Sequence, residues 1–229
     1  QRGGEIAKTY AGSITLGTGQ FCTNPGLLLT IKNDNTEDFI AELAKETIAL
    51  DPQCMLHPNI KSGYEKKEAD VTSQSGVEVV GKVDADLEPN YAASAIATVS
   101  GSEFLANPKL HQEVFGPFSL VVQCKDDAEL LQIIEGLEGQ LTGTLIAEEN
   151  DTINLIEVVD ALQNRVGRII YNGVPTGVEV CPSMQHGGPY PASTDSRFTA
   201  VGVHAINRWV RPVSYQSFPQ SLLPEHLKG

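Results

Sequence analysis

One of the four cysteines is set apart by its surroundings. Cys22 lies in Gly17-Thr18-Gly19-Gln20-Phe21-Cys22-Thr23-Asn24-Pro25-Gly26, between a glycine loop that ends one helix and a Pro-Gly turn that launches a strand. A free thiol with a pKa near ~8.5 is only a few per cent thiolate at neutral pH, and backbone N–H groups gathered in such a loop favour the anion. Cys22 is therefore the candidate nucleophile, against the ordinary alternative of a small buried gap-filler. Cys54, Cys124 and Cys181 have no comparable glycine cradle: Cys124 ends an apolar strand, and the other two sit in Pro-flanked connections. A second cluster is Gln112-Glu113-Val114-Phe115-Gly116-Pro117, an acid and an aromatic ahead of a Gly-Pro turn. The Glu113 carboxylate could accept hydrogen bonds from sugar hydroxyls; its plain alternative is a solvated Glu, with Phe115 closing a strand end.

Other chemistries fit less well. Gly17-Thr18-Gly19 lacks the third glycine of a dinucleotide fingerprint and follows a helix rather than a strand. Cys54 with His57, and Cys181 with His186, are isolated pairs where a structural zinc site needs four ligands, so no metal is expected. His186-Gly187-Gly188 is similar to an esterase oxyanion loop, but no Gly-x-Ser-x-Gly accompanies it.

These residues must be positioned by a layered α/β domain, because short β-rich runs alternate with amphipathic segments. The spacing predicts helices near residues 6–14, 36–50 (with Asn35 or Thr36 as N-cap), 58–68, 126–137 and 151–163. Strands are expected near 26–31, 77–83, 93–100, 118–123, 143–147 and 168–171. From residue 118 onward the pattern reads βαβαβ, the unit of a mostly parallel sheet with helices on both faces, hence three layers. Residues 172–197 read as a long ordered loop, 198–209 as a short helix, and 210–218 as an extended edge strand or arm marked by Pro212. The division is thus a nucleophile-bearing catalytic domain over 1–209 and an arm and tail over 210–229.

With 229 residues, 41% hydrophobic and 20% charged, the chain has ordinary globular composition. Its 16 Lys+Arg against 29 Asp+Glu give a net charge of −13, which repels nucleic acid and anionic membrane surfaces. No bilayer-length apolar run and no paired cysteine spacing occur, so a cytoplasmic protein with reduced thiols is expected. The chain opens on Gln1 rather than Met, as a processed product or an internal piece of something longer would.

Gly19-Gln20-Phe21-Cys22 and, downstream, Glu113-Val114-Phe115-Gly116-Pro117 together resemble the two signatures of the aldehyde dehydrogenase superfamily. The wording Cys22-Thr23-Asn24-Pro25-Gly26 and residues 167–224 are most similar to its branch of α-ketoglutaric semialdehyde (2,5-dioxovalerate) and bacterial fatty aldehyde dehydrogenases. The resemblance covers essentially this whole chain but only about the C-terminal half of such an enzyme. It implies that Cys22 attacks a small-molecule aldehyde, that hydride passes to NAD or NADP, and that water hydrolyses the resulting thioester. It further implies that the Cys22 N–H serves an oxyanion hole, that Glu113 holds nicotinamide-ribose hydroxyls, and that Phe115 packs beside the nicotinamide. Asn172 would have a structural hydrogen-bonding role, and Gly187-Gly188 would form a late turn in which Gln185-His186 replaces the usual Pro-Phe.

For a carboxylate-bearing semialdehyde, Arg197 and Cys181 are the candidate substrate-binding residues, Arg197 having Asp195 as an alternative partner. The family's general-base glutamate, second oxyanion donor and dinucleotide domain lie outside these residues, since Glu5 lacks the context of that base. The isolated chain is therefore expected to be inactive in aldehyde oxidation, and the C-terminal arm to mediate homo-oligomerisation. Two alternatives differ in class: a non-catalytic binding or assembly module, and a cysteine acyl hydrolase or transferase pairing Cys22 with His111, His186 or His204.

Overall fold

The computed structural model describes residues 2–148 and 155–229. Its helices are α1 (Gly3–Thr15), α2 (Thr36–Ile48), α3 (Pro58–Thr72), α4 (Gly101–Ala106), α5 (Asp127–Gly136) and α6 (Leu155–Gln163). Its strands are β1 (Leu27–Ile31), β2 (Gln53–Cys54), β3 (Glu78–Lys82), β4 (Tyr91–Ala92), β5 (Ala95–Ser100), β6 (Phe118–Cys124), β7 (Gln140–Leu145) and β8 (Val166–Tyr171). The main sheet runs β1-β6-β5-β3, with β1, β6 and β5 parallel and β3 antiparallel at one edge.

Alternation along these strands feeds two cores. Ile96 and Val121 face α1 and α2, which bury Ala7, Tyr10, Ala11 and Ile14 from one helix and Ile40, Leu43 and Ala44 from the other. Their neighbours Ala95, Ala97, Leu120 and Val122 point the opposite way, into a core with Phe104 of α4, Ile133 and Ile134 of α5, and Val158 and Leu162 of α6. Helices thus cover both faces. Caps fix several helix starts: the Asp126 carboxylate accepts the Glu129 N–H at 2.8 Å, and Ser100 Oγ accepts the Glu103 N–H at 3.2 Å. At α2, Asn35 is the N-cap but makes no side-chain cap, and Thr36 Oγ1 instead accepts the Asn33 N–H at 2.9 Å.

The expected βαβαβ run is present in chain order with a different sheet: among the described residues, β7 and β8 form their own parallel pair. They join the body through side chains, Val166 sharing a core with α5 and α6, rather than through backbone hydrogen bonds to the main sheet. Of the helix expected over 151–163, residues 151–154 lie outside the described set. The segment 198–209 is not a helix; only Val203–Arg208 coils, as a 3₁₀ turn burying none of its side chains. Residues 210–218 form no strand among the described residues, and Val210 and Val213 are 59% and 57% exposed. α4 and the 3₁₀ turn Pro108–His111 are additions to the sequence expectation. No helix among the described residues is long and apolar enough to cross a membrane.

Candidate active site

Gly17, Thr18 and Gly19 take φ of 54°, 59° and 65°, three consecutive left-handed residues that turn the chain back after α1. Glycine adopts this at little cost, whereas a threonine is strained there. Burial holds Thr18 in place, with its hydroxyl 3.4 Å from the Cys54 carbonyl. The Gln20 amide closes the turn, donating to Gly17 O at 2.8 Å and accepting the Leu56 N–H at 2.9 Å. A Cβ on Gly19 would lie 2.1 Å from the Gly116 carbonyl oxygen, so the loop rests backbone-to-backbone on the turn of the second motif. Asn24 Nδ2 donates to that same carbonyl at 3.1 Å. The two sequence signatures, about ninety positions apart, are therefore one structural unit at the amino ends of β1 and β6. Open α/β sheets usually bind ligands at the carboxyl ends.

Cys22 is exposed at this junction, and its Sγ lies 3.3 Å from His186 Nε2. Glycines make that meeting possible. A Cβ on Gly167, at the start of β8, would be 2.1 Å from Gly187 O, and one on Gly139 would be 2.0 Å from Pro189 O. The loop is thereby seated against the ends of β7 and β8. His186 is held at both backbone ends, its N–H donating to Thr199 Oγ1 at 2.9 Å and its carbonyl accepting the Ala200 N–H at 2.9 Å. Burial of the ring, and then the positive charge of Arg168, push the His186 pKa below its ordinary value, so the ring is neutral at neutral pH. Arg168 lies beneath this loop, Nη2 donating to Pro175 O and Gly177 O at 3.3 and 3.1 Å and Nη1 standing 3.5 Å from Met184 Sδ.

The other candidates are scattered. Glu113 is exposed and Phe115 half-buried, in the turn on which the Cys22 loop sits. Cys124 is buried and inert: burial first, then Glu129 and Asp126, push its thiol up to about 12. Cys54 is exposed, and Cys181 is half-buried in the 172–197 loop with Ser183 Oγ at 3.5 Å. Arg197 is on the surface, Nε and Nη2 bonded to the Asp195 carboxylate at 2.9 and 2.6 Å, and this hydrogen bonding holds Asp195 down to about 2. Of the three histidines weighed as partners for Cys22, His111 instead stacks on Phe104 at 4.2 Å and bonds its carbonyl, and His204 is exposed on the 3₁₀ turn. Asn172 does hydrogen-bond structurally: its amide accepts the Ala147 N–H at 3.0 Å and donates to the Ala147 carbonyl at 2.9 Å. Among the described residues no three metal-ligating side chains converge.

A model of the aldehyde dehydrogenase family matches residues 5–209. The chain belongs to the aldehyde dehydrogenase family. It is 42% identical over 228 residues to alpha-ketoglutaric semialdehyde dehydrogenase 2 of Azospirillum brasilense and 41% identical to alpha-ketoglutaric semialdehyde dehydrogenase of Acinetobacter baylyi. Each match takes in 99% of this chain and 43% of the relative, so the chain spans under half the length of these relatives. Among solved structures, indole-3-acetaldehyde dehydrogenase in complex with NAD+ aligns over 90% of this chain and 41% of its own, with TM-score 0.71 and 16% identity. Proline utilization A from Bradyrhizobium japonicum aligns over 81% of this chain and 19% of its own, with TM-score 0.67 and 21% identity. At these identities the two structures support the aldehyde dehydrogenase fold alone.

Arg168 is the site residue that pattern reading passed over. An arginine inside the apolar strand Val166-Gly167-Arg168-Ile169-Ile170-Tyr171 was the available signal, since a charged group there needs partners.

Proposed function

We propose that these residues are the nucleophile-bearing part of an NAD(P)-dependent aldehyde dehydrogenase that oxidises a semialdehyde such as 2,5-dioxopentanoate to its carboxylate. The observation that carries this function is an exposed Cys22 sulfur 3.3 Å from a neutral imidazole, on a loop seated against the Glu113–Phe115 turn. The semialdehyde follows from the two relatives at 42% and 41% identity. In this scheme the Cys22 thiolate attacks the carbonyl carbon, a C–S bond forms, and the carbonyl oxygen takes the electron pair and is met by the Cys22 N–H. The nicotinamide nucleotide, when bound, supplies the acceptor for the hydride leaving that carbon. An exposed, acceptor-only carboxylate two residues from a half-buried ring fits such a group, with Glu113 taking the ribose hydroxyls and Phe115 flanking the nicotinamide. Water then adds to the Cys22 thioester, the C–S bond breaks, the carboxylate departs and the thiolate is regenerated. Arg197 and Cys181 serve the far end of the substrate, Arg197 only after parting from Asp195.

With base, second oxyanion donor and nucleotide domain supplied from outside these residues, the 229-residue chain alone is expected to make no NAD(P)H. It should still form the reversible thiohemiacetal, which needs only the nucleophile. Titrating in 2,5-dioxopentanoate should therefore slow Cys22 alkylation by iodoacetamide saturably. Absence of protection, or NAD(P)H production by this chain, would count against the scheme. The exposure of the Cys22 sulfur also favours a second activity, acyl hydrolysis or transfer, which predicts thioester turnover without nucleotide that disappears in Cys22→Ser.

The same scheme makes residues 210–218 an oligomerisation arm. Val210, Val213, Tyr215 and Phe218 are 59%, 57%, 43% and 43% exposed, an apolar segment in no strand among the described residues, with the Tyr215 and Phe218 rings 5.1 Å apart. Light scattering is expected to show species above monomer mass that vanish when residues 210–229 are deleted; a clean monomer at high concentration contradicts the assignment.

A further inference from the structure

We infer that Arg168 fixes His186 as the neutral tautomer with Nδ1 bare and Nε2–H turned to the Cys22 sulfur, so that the ring donates a hydrogen bond to the thiolate instead of taking the thiol proton. The inference rests on the assignment of Cys22 as nucleophile. Two buried polar atoms in this corner, Arg168 Nε and His186 Nδ1, have no hydrogen-bond partner among the described residues. Arg168 Nη1 stands 3.5 Å from Met184 Sδ, two residues before His186 on the same loop, and the guanidinium charge acts on the ring. Guanidinium nitrogens only donate, and while both Nη atoms face loop acceptors, Nε–H faces none. A proton on Nδ1 would bury a second unmet donor beside the first. A bare Nδ1 is an acceptor, the polarity that complements an unmet guanidinium N–H in the same corner. Placing the single proton on Nε2 follows, and Nε2 is the atom 3.3 Å from Cys22 Sγ.

The charged and titratable groups shown to act on His186 are Cys22 on its own loop side and Arg168 from β8. A ring protonated at both nitrogens would set an imidazolium beside a permanent guanidinium in a partly buried corner. The thiolate–imidazolium pair found in many Cys–His sites is thereby disfavoured. The thiol proton then goes to water, and the Nε2–H bond is a contact that a thiolate at Cys22 accepts.

The direct test is the ¹⁵N spectrum of the histidine-labelled wild-type chain at neutral pH, with the His186 signals assigned by their loss in His186→Gln. A bare Nδ1 and a protonated Nε2 are expected; protonation of both nitrogens, or of Nδ1 alone, overturns the inference. The second test is iodoacetamide alkylation of Cys22, followed by peptide mass mapping to separate it from Cys54. A glutamine amide donates from nearly the same place as Nε2–H but cannot act as a base. His186→Gln should therefore keep the rate within about threefold, while His186→Leu, which has no donor to offer the sulfur, loses about tenfold. Equal loss in both variants overturns the inference. Arg168→Met should let the imidazolium form, seen in the ¹⁵N spectrum as protonation of both His186 nitrogens persisting to higher pH, and Arg168→Lys should not; the wild-type spectrum decides the matter even if Arg168→Met loosens the loop. If Cys22 in the wild type reacts no faster than exposed Cys54, the nucleophile assignment fails, while the nitrogen spectrum judges the tautomer separately.

Discussion

Gly19→Ala is expected to lose most of the selective alkylation of Cys22 and about 2–5 kcal/mol of stability. The stability figure combines ~1–2 kcal/mol for forcing a side chain into the left-handed region with ~1–3 kcal/mol for overpacking. The φ of Gly19 is 65°, and its new Cβ would stand 2.1 Å from Gly116 O, 2.2 Å from Gly116 C and 2.6 Å from Pro117 N. All three are backbone atoms, so no flexible side chain can yield. Either the loop lifts from the turn, breaking the Asn24–Gly116 bond, or the turn moves with Glu113 and Phe115. Both outcomes displace the sulfur from the Glu113–Phe115 turn. Gly12→Ala is the control: Gly12 lies exposed within α1 with nothing within 4 Å of the added carbon, so stability should rise by about 0.5–1 kcal/mol. Thermal melts and mass-mapped alkylation of the two variants read both effects. Unchanged melting and labelling in Gly19→Ala would mean that the loop does not rest on the 113–117 turn.

The same contacts explain how much of the site could be read from the chain. Cys22 and the Glu113–Phe115 turn were legible because each is a compact local motif, and the glycines that seat one on the other belong to those motifs. The Cys22–His186 contact was not decidable, because it joins residues 164 apart through a loop without periodicity. Three histidines were equally available on paper, and only the fold gives His111 to Phe104 and leaves His204 on the surface. A readable trace existed in Gly187-Gly188 after His186, together with Gly139 and Gly167. Glycines at the ends of two strands signal close backbone approach, though not what approaches.

Elements follow the same logic. α1, α2 and α5 are legible because their apolar residues recur on one face, whereas α4, with only six residues after the strand that ends at Ser100, is too short for such a recurrence to show. Its signal was the capping pair Ser100 and Glu103, realised as the Glu103 N–H bond to Ser100 Oγ. The separation of β7–β8 from the main sheet could not be read, because parallel pairing within βαβ units looks alike in sequence whether or not neighbouring units share hydrogen bonds. Residues 210–218 have no strand partner among the described residues, so their extended character in sequence meets no ladder there.

Phe104→Ala should remove about 3–5 kcal/mol from a stability that for single domains is typically ~5–15 kcal/mol, while leaving Cys22 alkylation under native conditions unchanged. Phe104 is 0% exposed, in the core on the sheet face opposite α1 and α2. Its ring lies against His111 with centroids 4.2 Å apart and planes 11° from parallel, so truncation removes both the buried ring and its stacking partner's contact. Collapse into the void is hindered because α4 is held at its start. Ser100 caps it, and Gly101 sits so close to Glu129 that an added Cβ would meet the carboxylate at 2.4 Å. The His111 bond to the Phe104 carbonyl survives truncation, so the loss is packing rather than polar. Urea denaturation should therefore show a lower midpoint at similar slope. The site is fixed by a different set of contacts, the backbone approaches of Gly19 to Gly116 and Gly167 to Gly187, and these do not involve Phe104. A fall in Cys22 reactivity that tracks the Phe104→Ala destabilisation while the chain remains folded would show that core and site are coupled; a loss of stability below ~1 kcal/mol would show that the cavity collapses.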